Sequence, residues 1–220
     1  MVDFQSRDTR RDPTDDEESD SDEQDDAADT NGDRPESKAE TAEYDPDAGD
    51  DGLSYAVVTV SDDLTLDSDD AGNAVVESIQ TTEDAVATRD LVSASYDGVQ
   101  SSLSALVDRR DVDAIVTVGG TGVEPDDVTV DAATDLFDKR LPGFGELFRI
   151  HSHDYDGSAV IRTRATAGVV EDAPVFCLPG DAESARRGVE GIILDEAPEL
   201  VALARDGEPE STDDDGSSLL

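Results

Sequence analysis

A short apolar run that stops at a group of glycines constrains the fold of this chain more than any other stretch. Residues 114–118 read Ala-Ile-Val-Thr-Val, and Gly119, Gly120, Thr121 and Gly122 follow directly. β-branched residues bounded by glycine predict a buried strand that opens into a loop. In an open α/β sheet, ligands bind at the carboxyl ends of the strands. Because glycine lets backbone N–H groups approach an anion closely, the loop is a candidate cradle for a phosphate or a pterin.

Two acidic residues follow this loop. Asp126 and Asp127 precede a segment with helical periodicity at residues 130–137. A carboxylate repels a phosphate unless a divalent cation lies between them, so the pair predicts Mg²⁺. Two simpler interpretations remain open: the glycines form only a tight connection, and Asp127 caps the next helix.

The chain as a whole is strongly acidic, with a formal net charge of -41 over 220 residues. Residues 1–52 and 206–220 are acidic and lack apolar periodicity, which predicts disordered tails. Residues 53–205 contain 30 acidic and 11 basic residues, a net charge of -19, and are predicted to form one domain. This charge argues against nucleic-acid binding and is typical of adaptation to high salt. We therefore expect stability to rise from low to molar KCl, because salt screens the self-repulsion.

Cysteine content and hydropathy indicate the cellular compartment expected for the protein. Cys177 is the one cysteine, so neither an internal disulfide nor a cysteine metal cluster can form. The first residues do not resemble a signal peptide, and no apolar run approaches the ~20 residues needed to span a bilayer. We therefore expect a cytoplasmic protein that does not associate with membranes.

Strand and helix patterns alternate through the predicted domain. Strands are predicted at residues 53–60, 84–92, 113–118, 158–164, 165–170 and 174–178. Helices are predicted at residues 74–80, 96–109, 131–137, 147–151 and 182–204, with a break at residues 141–146 and another near Pro198. This alternation predicts a three-layer α/β/α sandwich with a mostly parallel sheet, to which residues 158–170 make an antiparallel addition.

Six short motifs occur in a fixed order between residues 55 and 204. They are Val58-Thr59-Val60-Ser61-Asp62, the Asp-rich turn into Gly72, residues 119–122 with Asp127-Val128-Thr129, Leu-Pro-Gly-Phe-Gly-Glu at 141–146, Thr163-Arg164 with Ala167-Gly168, and Leu178-Pro179-Gly180. In this order and spacing they resemble the MoaB/Mog family of molybdenum cofactor biosynthesis proteins, which includes the G domain of gephyrin.

The resemblance implies a function as well as a fold. Members of the family bind molybdopterin, and the Mog-type enzymes adenylylate it with Mg-ATP and release pyrophosphate before the metal is inserted. The resemblance further implies a homo-oligomer, a trimer or a hexamer, that works with other proteins of molybdenum cofactor assembly.

The resemblance also assigns candidate site residues. Asp127 matches the essential aspartate after the glycine loop and Asp97 the second one, at a helix start, so both would hold Mg²⁺ and position the substrates. The remaining matches would contact nucleotide or pterin: Gly119, Gly120, Thr121 and Gly122 as the phosphate cradle, Thr163 and Arg164 as a Ser-Arg pair near the ligand, and Pro179 and Gly180 through their backbone.

Several of these residues have a structural alternative. Asp97 could be an ordinary surface acid, and Arg164 could form a salt bridge. His151 and His153 are two positions apart near a helix end and do not share a face, which favours structural or surface roles over a metal site.

The sequence departs from the family after Pro179-Gly180. Asp181 and Glu183 stand where relatives have small polar or basic residues, and they would weaken anion binding unless cations or Arg186 and Arg187 offset them. Two hypotheses therefore stay open: a molybdopterin adenylyltransferase, or a non-catalytic molybdopterin-binding or scaffold protein of the MoaB type.

Overall fold

The computed structural model of the chain describes residues 52–205, and the predicted acidic tails, apart from Gly52, lie outside this range. Strands and helices alternate, as the periodicity predicted. The strands are β1 (Ser54–Val60), β2 (Ala85–Val92), β3 (Ala114–Val118), β4 (Lys139–Arg140), β5 (Thr166–Val170) and β6 (Ala173–Leu178). The helices are α1 (Asp70–Ile79), α2 (Tyr96–Val107), α3 (Thr129–Thr134), α4 (Pro142–Asp156), α5 (Ala182–Gly188) and α6 (Leu194–Arg205).

The described strands form one six-stranded sheet in the order β2-β1-β3-β6-β5-β4. β2, β1, β3 and β6 pair in parallel, whereas β5 is antiparallel to β6 and β4 is antiparallel to β5. The mostly parallel sheet with an antiparallel addition is therefore confirmed. It places the carboxyl ends of β3 and β6 side by side, and a loop begins at each.

Two apolar layers cover the two faces of the sheet, because side chains alternate along each strand. On β1, Tyr55 and Val57 belong to the layer packed under α1, α4, α5 and α6, whereas Ala56 and Val58 belong to the layer under α2 and α3. Burial of β1 and β3 on both faces explains why they read as continuous apolar runs. The three-layer α/β/α sandwich is confirmed. Among residues 52–205, no helix has the length and apolar character required to cross a bilayer.

The segment after the Leu-Pro-Gly motif differs from the prediction. The strand predicted at residues 158–164 is wrong: α4 continues to Asp156, and a 3-10 helix, Gly157–Arg162, follows. Gly157 ends α4 with a φ of 54°. Ile161 lies 82% exposed, so this apolar run has no neighbouring strand or core to pack against. β-branched composition therefore indicated a strand where the tertiary structure offers no partner.

The irregularity in the last helical region also lies earlier than predicted. A π-helical segment, Val189–Ile193, joins α5 to α6, and Pro198 lies inside α6. Proline has no N–H and crowds the carbonyl four residues before it, here Leu194. The hydrogen-bond pattern thus changes just upstream of the proline and not at it.

Candidate functional site

The loop after β3 is held in an unusual backbone conformation. Gly119 and Gly120 have φ values of 99° and 65°, a region that residues with a side chain rarely adopt. A Cβ atom on Gly119 would lie 2.5 Å from the carbonyl oxygen of Val60, and one on Gly120 would overlap the hydroxyl of Thr129. The glycines are therefore required by the loop geometry itself.

Backbone hydrogen bonds fix the loop at both ends and leave its middle open. The amide of Gly119 donates to the carbonyl of Leu178 (3.1 Å), and the carbonyl of Gly120 accepts from the amide of Thr129 (3.1 Å). Within residues 52–205, the amides of Gly120, Thr121 and Gly122 donate to no protein acceptor. Three neighbouring amides without acceptors can form an anion-binding concavity.

A cavity of about 580 Å³ lies over this loop. Its floor is formed by the backbone of residues 119–122 and of Pro179 and Gly180, where a Cβ on Gly180 would lie 3.2 Å from Cα of Gly119. Its walls come from the second half of α4, from the 3-10 helix that follows it, and from the first turn of α5. The size is typical of a pocket for a small organic ligand.

Asp127 lies in the lining of this cavity. Its Oδ2 accepts a hydrogen bond from the amide of Glu124 (2.8 Å), and its own amide donates to the carbonyl of Glu124 (3.1 Å). Within the described residues, Oδ1 of Asp127 has no partner. The capping alternative is wrong, because α3 has Val128 at its N-cap and no side-chain cap. One oxygen of Asp127 thus closes the turn, and the other is available to a ligand or cation.

The lining carries more negative than positive charge. Four acids, Glu124, Asp127, Asp156 and Asp181, face one base, Arg162. Asp181 caps α5 by accepting from the amide of Ser184 (2.8 Å), and Asp156 pairs with Arg187 (3.1 Å).

The sequence left open that Arg186 and Arg187 offset the charges of Asp181 and Glu183, and within residues 52–205 only Glu183 pairs with one of them. Arg187 pairs with Asp156 in the lining, and Arg186 contacts Glu183 at 3.4 Å. Arg186 also pairs with Glu77 and Glu190, so its charge is shared among three carboxylates.

Thr163 and Arg164 are placed on different sides of their segment. Thr163 lies in the cavity lining, whereas Arg164 does not. The guanidinium of Arg164 donates to the carbonyls of Gly122 (2.7 Å) and Asp127 and to the carboxylate of Asp131 (2.9 Å). The salt bridge that the sequence left open as an alternative for Arg164 is therefore present.

Asp97 is not brought to the cavity. It lies exposed in the first turn of α2, which is capped by the hydroxyl of Ser95, and it is absent from the lining. Among residues 52–205, no group of three His, Cys, Asp or Glu side chains could hold a metal ion. His151 and His153 thus form no such site. An Mg²⁺ ion here would be held by one or two carboxylates together with phosphates of a ligand, which is its usual mode of binding.

Ser152 is a further candidate site residue that the sequence motifs did not predict. This α4 residue is 1% exposed, belongs to the cavity lining, and has a buried hydroxyl with no hydrogen-bond partner within the described residues. Buried hydroxyls normally have a partner, so an orphaned one in a cavity wall fits a ligand contact. The signal was present in the sequence: Ser152 continues the buried stripe of Phe144 and Phe148 at four-residue spacing, where an apolar residue would be expected.

Comparisons with known proteins identify similar sequences and structures. A sequence model of a family described as a probable molybdopterin binding domain matches residues 56–200. Molybdenum cofactor biosynthesis protein B of Bacillus subtilis (strain 168) is 38% identical over 151 residues, which cover 68% of this chain and 87% of that protein.

Two crystal structures are similar over nearly their whole length. One, of a molybdenum cofactor biosynthesis protein B, has a TM-score of 0.68 and 31% identity, and the match covers 70% of this chain and 97% of that one. The other, of the tungsten cofactor synthesizing protein MoaB from Pyrococcus furiosus, has a TM-score of 0.63 and 31% identity, with 71% and 99% covered. The chain belongs to the MoaB/Mog family of molybdenum cofactor biosynthesis proteins.

Proposed function

We propose that this protein acts in molybdenum or tungsten cofactor biosynthesis by binding molybdopterin and adenylylating it with Mg-ATP. The observation that carries the proposal is the pairing of two features in one cavity. The amides of Gly120, Thr121 and Gly122 have no protein acceptor, and Oδ1 of Asp127 has no protein donor. Unused donors suit phosphate oxygens, and an unused carboxylate oxygen suits a cation.

The reaction is a displacement at phosphorus. An oxygen of the terminal phosphate of molybdopterin would attack the α-phosphorus of ATP, and the bond from that phosphorus to its bridging oxygen would break, releasing pyrophosphate. Both reactants are anions, so the protein must align them and offset their charge. The backbone of residues 119–122 would hold one phosphate group, and the backbone of Pro179 and Gly180 would shape the opposite side of the floor.

Mg²⁺ fits the donor set of the cavity. The lining is net negative, with four carboxylates and one guanidinium, and a polyanionic ligand would be repelled by it without cations. Asp127 is the carboxylate we assign to the ion, which when bound would neutralise phosphate charge. Asp97 stays a second candidate ligand of the ion. It lies exposed on α2 and outside the lining, so within a single copy of the chain it is not part of the cavity.

The test is pyrophosphate release by the purified full-length protein in molar KCl with molybdopterin and Mg-ATP. We expect Asp127→Ala to lower the rate at least ~100-fold, because it removes the carboxylate that positions the ion. Asp126→Ala is the matched control, since Asp126 is exposed and outside the lining, and it should keep nearly the full rate.

The second candidate is a non-catalytic molybdopterin-binding protein of the MoaB type. The position of Asp97 and the carboxylates of Glu124 and Asp181 in the lining favour it. If the wild-type protein binds molybdopterin but releases no pyrophosphate, this second function replaces the first.

We also propose that the protein is a homo-oligomer, a trimer or a hexamer. Ile150 and Tyr155 of α4 are 67% and 74% exposed and line one recess together with His151, Asp154, Arg187 and Glu190, and a second copy of the chain would cover these two large apolar side chains. Light scattering should give a mass of three or six chains, and Ile150→Asp should lower it. A monomeric wild type would contradict the proposal.

A further inference from the structure

Two arginines two positions apart have opposite surroundings. Arg164 is fully engaged with the loop that carries Asp127: its Nε donates to the carbonyl of Gly122, its Nη2 to the carbonyl of Asp127, and its Nη1 to both oxygens of Asp131, at 3.0 and 2.9 Å. Its backbone amide also donates to the carbonyl of Thr121 (2.8 Å). Every contact of Arg164 therefore fixes the conformation of residues 121–131.

Arg162 lies in the cavity lining and makes few polar contacts with the rest of the described protein. It is exposed at the end of the 3-10 helix, forms no ion pair with any residue between 52 and 205, and makes one long side-chain hydrogen bond, from Nε to the carbonyl of Ala159 (3.4 Å). It is the one basic side chain among the lining residues. In a cavity with four carboxylates, a guanidinium without a carboxylate partner is free to pair with an anionic ligand.

We propose that the two arginines divide two tasks: Arg162 contacts an anionic group of the ligand, and Arg164 is a positioning residue that holds Asp127 in place. The inference rests on the proposed function, which supplies the phosphate-bearing ligand. It changes the assignment made from the sequence, where Arg164 was the expected ligand contact.

The chemistry of the guanidinium explains why Arg164 suits its task. Its planar fork serves two carbonyls and one carboxylate at once, whereas a lysine ammonium is a point charge that cannot span the same acceptors. Arg164→Lys therefore keeps the charge but loses the clamp. Arg162 needs only one charged contact, so Arg162→Lys should retain much of its effect.

The first experiment measures Mg-ATP binding by calorimetry with the full chain. Arg162→Gln should bind about tenfold more weakly at the lowest KCl concentration at which circular dichroism shows both proteins folded, as expected for one lost charge-assisted contact, and the deficit should shrink in molar KCl through screening. Arg162→Lys should restore most of the affinity. Arg110→Gln is the matched control: Arg110 is exposed next to the amino end of β3, away from the cavity, and should bind as the wild type does.

The second experiment measures amide hydrogen exchange without ligand. Arg164→Lys should raise exchange at least about tenfold at Glu124 and Asp127, whose amides close the turn, because the clamp on that turn is lost. Arg164→Lys should also raise the Mg²⁺ concentration needed for half-maximal Mg-ATP binding, a readout that a general loss of stability would not shift selectively. Arg162→Gln should leave amide exchange at Glu124 and Asp127 unchanged.

The outcomes separate the two proposals. If Arg162→Gln binds Mg-ATP as the wild type does, or if Arg164→Lys leaves exchange unchanged, the division of tasks is overturned while the proposed function stands. If the wild type binds neither Mg-ATP nor molybdopterin, the proposed function fails and the role of Arg162 fails with it. The exchange comparison decides the role of Arg164 in either case.

Discussion

Asp69 and Asp127 both lie beyond the end of a parallel strand and just before a helix, yet they differ in how many partners they have. Asp69 is fully buried and accepts from the hydroxyl of Thr59 (2.5 Å), the amide of Gly72 (2.8 Å) and the guanidinium of Arg89 (2.9 Å). Asp127 is half-buried and accepts from one amide through one oxygen. Both oxygens of Asp69 accept hydrogen bonds from the protein, whereas Oδ1 of Asp127 accepts none within the described residues.

This difference separates a structural carboxylate from a candidate ligand-binding one. A buried charge stays only where several donors satisfy it, so Asp69 serves the fold at the entry to α1. Asp127 uses one oxygen to shape its own turn and presents the other within the cavity lining. Composition could not distinguish them, because both are aspartates in a chain with 57 acidic residues.

The largest effect is expected at Asp69. Asp69→Ala should lower the free energy of unfolding by about 3 kcal/mol, because it leaves Arg89 without its carboxylate and removes the cap of α1. Urea denaturation in molar KCl measures this. Asp67→Ala, an exposed neighbour, is the control and should change little. A loss below about 1 kcal/mol at Asp69 would mean that the buried network contributes no more than a surface pair.

Asp127→Ala should show the opposite pattern. Pyrophosphate release should fall at least ~100-fold, whereas the free energy of unfolding should change by no more than about 1 kcal/mol, the value of one hydrogen bond to a backbone amide. Measuring both quantities on one preparation tests the comparison directly. Unfolding of the variant at ordinary temperature would show that Asp127 is a structural residue like Asp69.

Substitution of Ser152 is expected to have two smaller effects of opposite sign, one on stability and one on ligand binding. Ser152→Ala should raise the free energy of unfolding slightly, by up to about 1 kcal/mol, because it removes a buried hydroxyl without a partner. It should also weaken molybdopterin binding by up to about tenfold, as one lost hydrogen bond predicts. Ser101→Ala, on the exposed face of α2, should change neither. Destabilisation by Ser152→Ala without a change in affinity would refute the assignment.

The smallest effect is expected at a surface ion pair far from the cavity. The hydrogen bond from Arg109 lowers the pKa of Asp111 below its usual value. A lowered pKa in the folded state gives stability above the pKa of the unfolded chain, ~4, and this stability is lost as the pH falls through the folded value. Asp111→Asn should thus lower the free energy of unfolding at pH 7 by less than about 1 kcal/mol. The difference should vanish in acid, and one that persisted there would contradict the ion-pair explanation.

The sequence predicted the parts of the fold that depend on local pattern. β1 and β3 are continuous apolar runs because both faces of the sheet are covered, and their bounds differ from the prediction by one residue. β4 has only two residues, both exposed, so it carries no pattern that could predict it. The strand predicted at residues 158–164 failed because β-branched residues indicate a strand only where a neighbouring strand exists.

Residue type alone predicted the part of the site in which it encodes backbone geometry. Gly119 and Gly120 signal their positive φ values directly, and the cavity does lie over them. The separate surroundings of Arg162 and Arg164 have no such signal, since side-chain direction in an irregular segment depends on tertiary contacts. The resemblance to the MoaB/Mog family predicted that Arg164 contacts the ligand. Its hydrogen bonds in the structure are to the loop that carries Asp127.

The close approach of Gly180 to Gly119 has a consequence for how the protein can diverge. Where peptide groups meet without side chains between them, the cavity floor has no side chain there that could titrate or oxidise. A substitution at either glycine would disturb the backbone itself. Acids can therefore line such a site, as four do here, while the backbone that would contact the ligand keeps its shape.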